Sequence, residues 1–183
     1  RSSNVGSAIL ARKVGEKNFK EFIKETKITK SPEIELEEVG VPHQIKWDKC
    51  KLETISFGHG ITTTPLQATA LYAAMSNGGK LVIPSLIKDR KIKKSETIIS
   101  NETSNKLSII LRKVVNSKNG TASLADKDGY YVGGKTGTAE SYGNKKNRIN
   151  TFISIFPAFK PNYALLVMLE NPKINSDLIY NYR

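Results

Sequence analysis

Apolar positions along this chain follow a helical period in the first two thirds and a strand-like one in the last. From Asn4 to Val14, Val5, Ala8, Ile9 and Ala11 or Arg12 fall at helical spacing, and Gly15 supplies a stop. A second amphipathic stretch places Phe19, Phe22 and Ile23 on one face. Ser31 to Pro42 breaks the period. Glu33, Glu35, Glu37 and Glu38 between flanking prolines read as a connecting loop or short edge strand with a solvated acidic surface, in preference to an acidic metal site.

The clearest helix start is Thr64-Pro65-Leu66-Gln67. Thr64 can cap free backbone N–H groups, Pro65 suits the first helical position, and Gln67 can reach back to complete a capping box. Leu66, Thr69, Ala70, Ala73 and Ala74 then form a stripe of small residues predicted to be buried, and Asn77-Gly78-Gly79 ends the helix. Lys80 to Ile87, apolar with Pro84 inside, fits an edge strand or extended loop. Another helix is predicted from about Glu102 to Asn116, burying Leu107, Ile110, Leu111, Val114 and Val115. Strand signals follow at Tyr130 to Val132 leading into Lys135, at Asn150 to Phe156, and at Tyr163 to Leu169, with a turn at Pro157 to Asn162. Helices first and antiparallel strands last predict an α+β domain with its sheet packed on helices.

The 183 residues, 38 % of them hydrophobic, suffice for one core. Lys and Arg total 29 against 17 acids, a net charge of +12. The charge is scattered: neither Lys88 to Lys94 nor Lys145, Lys146 and Arg148 is interleaved with aromatics, so a solvated basic surface is expected and nucleic acid is not a partner. Cys50 is alone, which excludes an internal disulfide or zinc cluster, and no supporting His motif makes it a catalytic thiol. His43 and His59 are expected to be structural or surface residues rather than metal ligands; neither a metal nor a cofactor is called for. No stretch of about 20 apolar residues crosses a membrane. The chain opens on Arg1, directly before a motif and without Met, as a piece of something longer would.

The chemistry lies in two short strings. Lys135-Thr136-Gly137-Thr138 combines an ammonium, two hydroxyls and a glycine on one extended segment, a set able to bind a carboxylate. Ser2-Ser3-Asn4, read as Ser-x-Asn through Ser2 and Asn4, stands at the other end; as a plain helix N-cap it would also hold a hydroxyl at a helix start. Between them lie Ser56-Phe57-Gly58-His59-Gly60-Ile61, Thr64-Pro65-Leu66-Gln67 and Asn77-Gly78-Gly79. Gly133-Gly134-Lys135-Thr136 lacks the first glycine of a P-loop, and a strand rather than a helix is predicted there. Phe57 to Gly60 is expected to be a tight backbone turn rather than a substrate contact.

In their order these landmarks resemble class B penicillin-binding proteins, and Ser-Ser-Asn resembles the division-type peptidoglycan D,D-transpeptidase. The resemblance implies a penicillin-binding protein and serine β-lactamase-like fold, present incompletely: residues 1–183 would be a partial transpeptidase domain, with the Ser-x-x-Lys part and a membrane anchor upstream. The nucleophile of that family precedes Ser-x-Asn, and nothing inside the chain is expected to replace it, so the chain alone should be inactive. It should also leave an apolar face uncovered.

The resemblance further implies roles for individual residues. Ser2 would relay a proton to the leaving amine, Asn4 would bind the substrate's peptide carbonyl, and Lys135 would polarise Ser2. Thr136 and Thr138 would hold the substrate carboxylate, the Thr138 N–H would join the oxyanion hole, and Gly137 would leave room for substrate beside the strand. The implied partners are peptidoglycan stem peptides ending in D-Ala-D-Ala, β-lactam antibiotics and divisome membrane proteins. The implied location is the inner membrane with the catalytic domain in the periplasm. A D,D-carboxypeptidase or serine β-lactamase shares Lys-Thr-Gly, and a non-catalytic penicillin-sensing or scaffold domain could retain the fold.

Overall fold

The computed structural model describes residues 2–90, 95–141 and 144–173. Arg1, Lys91, Lys93 and Lys94 of the expectations above lie outside the described residues. In chain order the elements are α1 (Asn4–Val14), α2 (Glu16–Glu25), α3 (Lys51–Ser56), α4 (Pro65–Ser76), α5 (Asn101–Asn116), a 3₁₀ turn (Ser123–Ala125), β1 (Gly133–Ser141), β2 (Asn144–Phe156) and β3 (Tyr163–Glu170). The strands form an antiparallel sheet in the order β1-β2-β3, with α5 against β1 and α4 against β2 and β3. This is the α+β arrangement that the order of helical and strand periods predicts.

Three helices open on a hydroxyl that accepts a backbone N–H at 3.1 Å: Ser3 from Gly6, Thr64 from Gln67 and Ser100 from Thr103. Each such cap stabilises its helix by about 1 kcal/mol. Gly15, at φ 84°, closes α1 by donating to the Ala11 carbonyl. The capping box at α4 is half made. Gln67 turns its side-chain amide to the Lys27 carbonyl at 2.8 Å, tying α4 to the end of α2 rather than to its own first turn.

Burial also departs from the predicted stripes. On α4, Ala74 is fully buried as expected, but Leu71 and Ser76 are buried with it, while Leu66, Thr69, Ala70 and Ala73 are only half-buried. The helix is apolar on most sides and so receives neighbours on more than one. On α5 the buried line is Ser104, Ser108, Leu111 and Val115. Ser104 accepts the Gly78 N–H at 3.0 Å from the end of α4, and Ile110, one position off this line, stands 55 % exposed. Leu107 and Val114 are half-buried. The sheet contributes Ile155, which is fully buried. By contrast Tyr163, Leu165, Val167 and Leu169 along one side of β3, and Val5, Ile9 and Leu10 on α1, are largely exposed.

Short α3, whose Lys-Leu-Glu-Thr-Ile-Ser sequence carries no full helical period, escaped the pattern. Gly58 and Gly60, both at positive φ, turn the chain after it toward α4, as expected for Phe57 to Gly60. Lys80 to Ile87 makes one antiparallel bridge, Lys80 with Thr97, and is otherwise irregular. Gly79 permits it: at φ 88° an added Cβ would lie 1.9 Å from the Ile99 carbonyl oxygen.

The acidic run is not merely solvated. Glu35 accepts from Ser85 Oγ at 2.7 Å and from the Leu86 N–H at 2.9 Å, and it pairs with Arg90. These bonds, the Leu86 N–H first, hold its carboxyl down at a pKa of about 2. Glu35 therefore stabilises the fold fully above its unfolded pKa of 4.5, and that contribution is lost as pH falls from there through about 2. Thermal melts should show wild type above Glu35→Gln by a constant margin from pH 5 to 7, closing between pH 4.5 and 2. A margin that does not change with pH would contradict the assignment.

Candidate active site

β1 is an edge strand, hydrogen-bonded only to β2 among the described residues, with Lys135 opposite Ile153, Thr136 opposite Phe152, Gly137 opposite Thr151 and Thr138 opposite Asn150. A free edge can accept an extended peptide as a further strand. Alternation along the strand sends Lys135 and Gly137 to one side and Thr136 and Thr138 to the other, all beside the same free edge. The Lys135 side chain enters an open cleft of about 340 Å³ between β1 and the end of α5, walled by Ile110, Lys113, Val114, Asn119 and Thr121.

The Lys135 ammonium is half-buried and donates to the Thr136 carbonyl at 2.7 Å. No carboxylate among the described residues pairs with it, and burial pushes its pKa below 10.5. A partly desolvated cation without an anion is a site that an incoming carboxylate would complete. Thr136 Oγ1 lies 3.2 Å from Thr121 Oγ1, while Thr138 is exposed. Gly137 meets a constraint within the protein itself: an added Cβ would lie 2.6 Å from Thr151 Oγ1 on the neighbouring strand.

At the N-terminal motif it is Ser3 whose hydroxyl caps α1. Ser2 precedes the helix, Asn4 is its first residue, and both are exposed. Helix α1 packs on α3 and α2, held by the Arg12 to Glu53 ion pair at 2.7 Å. Among the described residues no hydrogen bond joins Ser2 or Asn4 to Lys135. The structure thus unites Lys135, Thr136, Gly137 and Thr138 on one strand and leaves Asn4 at the start of a separate helix with Ser2 just ahead of it. The cleft walls from Lys113 to Thr121 were missed by the sequence reading. Their one signal is Gly120 just past α5, where a Cβ would lie 2.1 Å from the Val114 carbonyl oxygen.

One Ser-x-x-Lys string does occur inside the chain, Ser85-Leu86-Ile87-Lys88, against the expectation of none. It follows rather than precedes Ser2 and Asn4 and lies on irregular backbone. Its hydroxyl is engaged by Glu35 and by the Ile87 carbonyl, at 2.7 and 3.2 Å. A serine committed to these bonds, with Lys88 exposed, lacks the adjacent base a nucleophile needs.

Residues 1–181 match the family described as the penicillin binding protein transpeptidase domain. The chain belongs to that family. A probable peptidoglycan D,D-transpeptidase FtsI of Caulobacter vibrioides is 32 % identical over 96 % of this chain and 32 % of its own length. Stage V sporulation protein D of Bacillus subtilis is likewise 32 % identical, over 94 % of this chain and 29 % of its own. Penicillin binding protein 3 of Mycobacterium tuberculosis, solved in complex with aztreonam, superposes with a TM-score of 0.86 at 27 % identity, over 97 % of this chain and 45 % of that one. The chain therefore has the penicillin-binding transpeptidase fold and spans about a third of the length of the sequence relatives.

Two outcomes follow for β1. Gly137→Ala should lower stability by about 1–2 kcal/mol through overpacking, and Thr151→Ala in the same chain should recover most of the loss; strict additivity in chemical denaturation would contradict the contact. Lys135→Met should raise the melting temperature at pH 7, because burial penalises the charged form. That gain should fade as pH climbs through the lowered pKa and past 10.5, above which the wild-type lysine is neutral in both states. A gain independent of pH would contradict desolvation as its source.

Proposed function

We propose that residues 1–183 are part of the transpeptidase domain of a peptidoglycan D,D-transpeptidase that cross-links stem peptides during cell division. The observation that carries this reading is the half-buried Lys135 ammonium, without a carboxylate partner among the described residues, beside the edge of β1 that no described strand covers. The names of the relatives support the same reaction. A stem peptide ending in D-Ala-D-Ala lies along β1 with its terminal carboxylate at Lys135, Thr136 and Thr138. A serine hydroxyl from a Ser-x-x-Lys motif elsewhere in the protein adds to the carbonyl between the two D-alanines, giving its proton to the lysine of that motif. The Thr138 N–H and the nucleophile's own N–H hold the oxyanion, a donor pair in which each partner is worth about 10²–10³ in rate.

The C–N bond then breaks, and the departing D-alanine amine takes a proton through Ser2, leaving a serine ester. Asn4 holds the peptide carbonyl next to the scissile bond. The amine of a second stem peptide attacks the ester, forms the cross-link and frees the serine. A β-lactam enters by the same route, because its carboxylate and strained amide imitate the D-Ala-D-Ala end. The protein works at the inner membrane with this domain in the periplasm, among divisome membrane proteins.

Labelling by a fluorescent penicillin tests the reading. The whole protein should be labelled one-to-one and stably, Lys135→Ala should lower the labelling rate at least about a hundredfold, and residues 1–183 alone should take no label. A whole protein that stays unlabelled would support a non-catalytic domain. Rapid release of free penicilloic acid would support a β-lactamase or carboxypeptidase instead.

A further inference from the structure

The segment between α5 and β1 is tied to α5 by the Ala122 N–H on the Val114 carbonyl at 3.4 Å and, nearer the strand, by the side chain of Arg112. Arg112, on α5, donates through Nη1 to Asp126 Oδ1 at 2.7 Å and through Nη2 to Asp126 Oδ2 at 3.4 Å. The same Nη1 donates to the Val132 carbonyl at 2.8 Å, one residue before β1 begins. Arg112 and Asp126 are each about two thirds or more covered. Directly beneath, the backbone of α5 touches the strand: a Cβ on Gly133 would lie 3.1 Å from the Arg112 nitrogen and 3.3 Å from the Leu111 carbonyl carbon. One guanidinium fork thus fixes both the connection carrying Thr121, which meets Thr136, and the carbonyl three residues ahead of Lys135.

The geometry points to Arg112 as a positioning residue for acylation, one that sets the height of Lys135 to Thr138 over the reacting carbonyl without touching substrate. The inference rests on the transpeptidase reading above. Its physical basis is the planar guanidinium, which serves two acceptors at once, as an ammonium on a flexible stem does not. Without it the strand start keeps its ladder to β2 and the Ala158 N–H bond to the Tyr131 carbonyl at 2.8 Å but loses its polar tie to α5, and displacements near 1 Å at an oxyanion donor are costly: about 10²-fold in rate.

The test uses the whole protein and single-turnover acylation by a fluorescent penicillin, separating initial affinity from the acylation rate constant. Arg112→Met should lower that rate constant about ten- to a hundredfold, and Arg112→Lys should recover less than half of the loss on a logarithmic scale. Hydrogen exchange should quicken at the amides of Gly133 to Thr138 and stay unchanged in α4. A folded Arg112→Met protein acylating at the wild-type rate would overturn the inference. So would full rescue by Arg112→Lys, or exchange that quickens equally in α4 and β1, which marks general destabilisation. If wild type itself takes no label, the transpeptidase reading falls and this inference with it, an outcome visible before any variant is made.

Discussion

The contact between the backbone of α5 and the first residue of β1 governs the arrangement of this chain. Gly133 has no side chain, so the strand can lie where a Cβ would come within 3.1 Å of the Arg112 nitrogen and 3.0 Å of Ala158 Cβ. Once β1 is seated at that depth, pairing with β2 fixes every later position along it, because a slip of one residue would exchange the two faces. Lys135 then falls at the mouth of the α5 cleft, and its ammonium becomes half-buried. The lowered pKa of that lysine is a consequence of how closely a helix and a strand approach.

Pairing with β2 leaves the candidate site little spare volume. Gly134 would drive a Cβ to 2.6 Å from the Ile153 carbonyl oxygen, and Gly137 would drive one to 2.6 Å from Thr151 Oγ1. The glycines around Lys135 are therefore required by packing within the sheet before any ligand is considered.

The positions of α1, α2, α4 and α5, the three strands and the class of fold were legible because apolar spacing and caps act locally. Thr64 and Pro65 announce α4 by chemistry confined to four residues, and Gly15 ends α1 the same way. The capping box failed because Gln67 found a carbonyl forty residues away at Lys27, a bond no local rule contains. Ile110 was predicted buried because α5 has two adjacent apolar lines. Which one turns inward is decided by neighbours distant in sequence: Gly78 at the end of α4 donates to Ser104, and β1 comes close at Leu111 and Arg112. Glu35 read as solvated for a similar reason: Ser85, Leu86 and Arg90 are distant in sequence and near in space.

The site was legible in part. Lys135 to Thr138 are contiguous, so their chemistry could be read as one unit, and the fold places them on one free edge. The cleft walls Lys113 and Thr121 belong to another element and carry no motif of their own. Ser85-Leu86-Ile87-Lys88 has a nucleophile's spacing and the wrong surroundings, which only the bonds of Ser85 disclose.

The central claim is that this strand receives the carboxylate of an acylating ligand. A crystal structure of the whole protein acylated by a β-lactam tests it most directly. The account predicts the ligand carboxylate within hydrogen-bonding distance of Lys135, Thr136 and Thr138, with its ester oxygen facing the Thr138 N–H. A carboxylate bound away from β1, or an acyl group carried on Ser85, would contradict it.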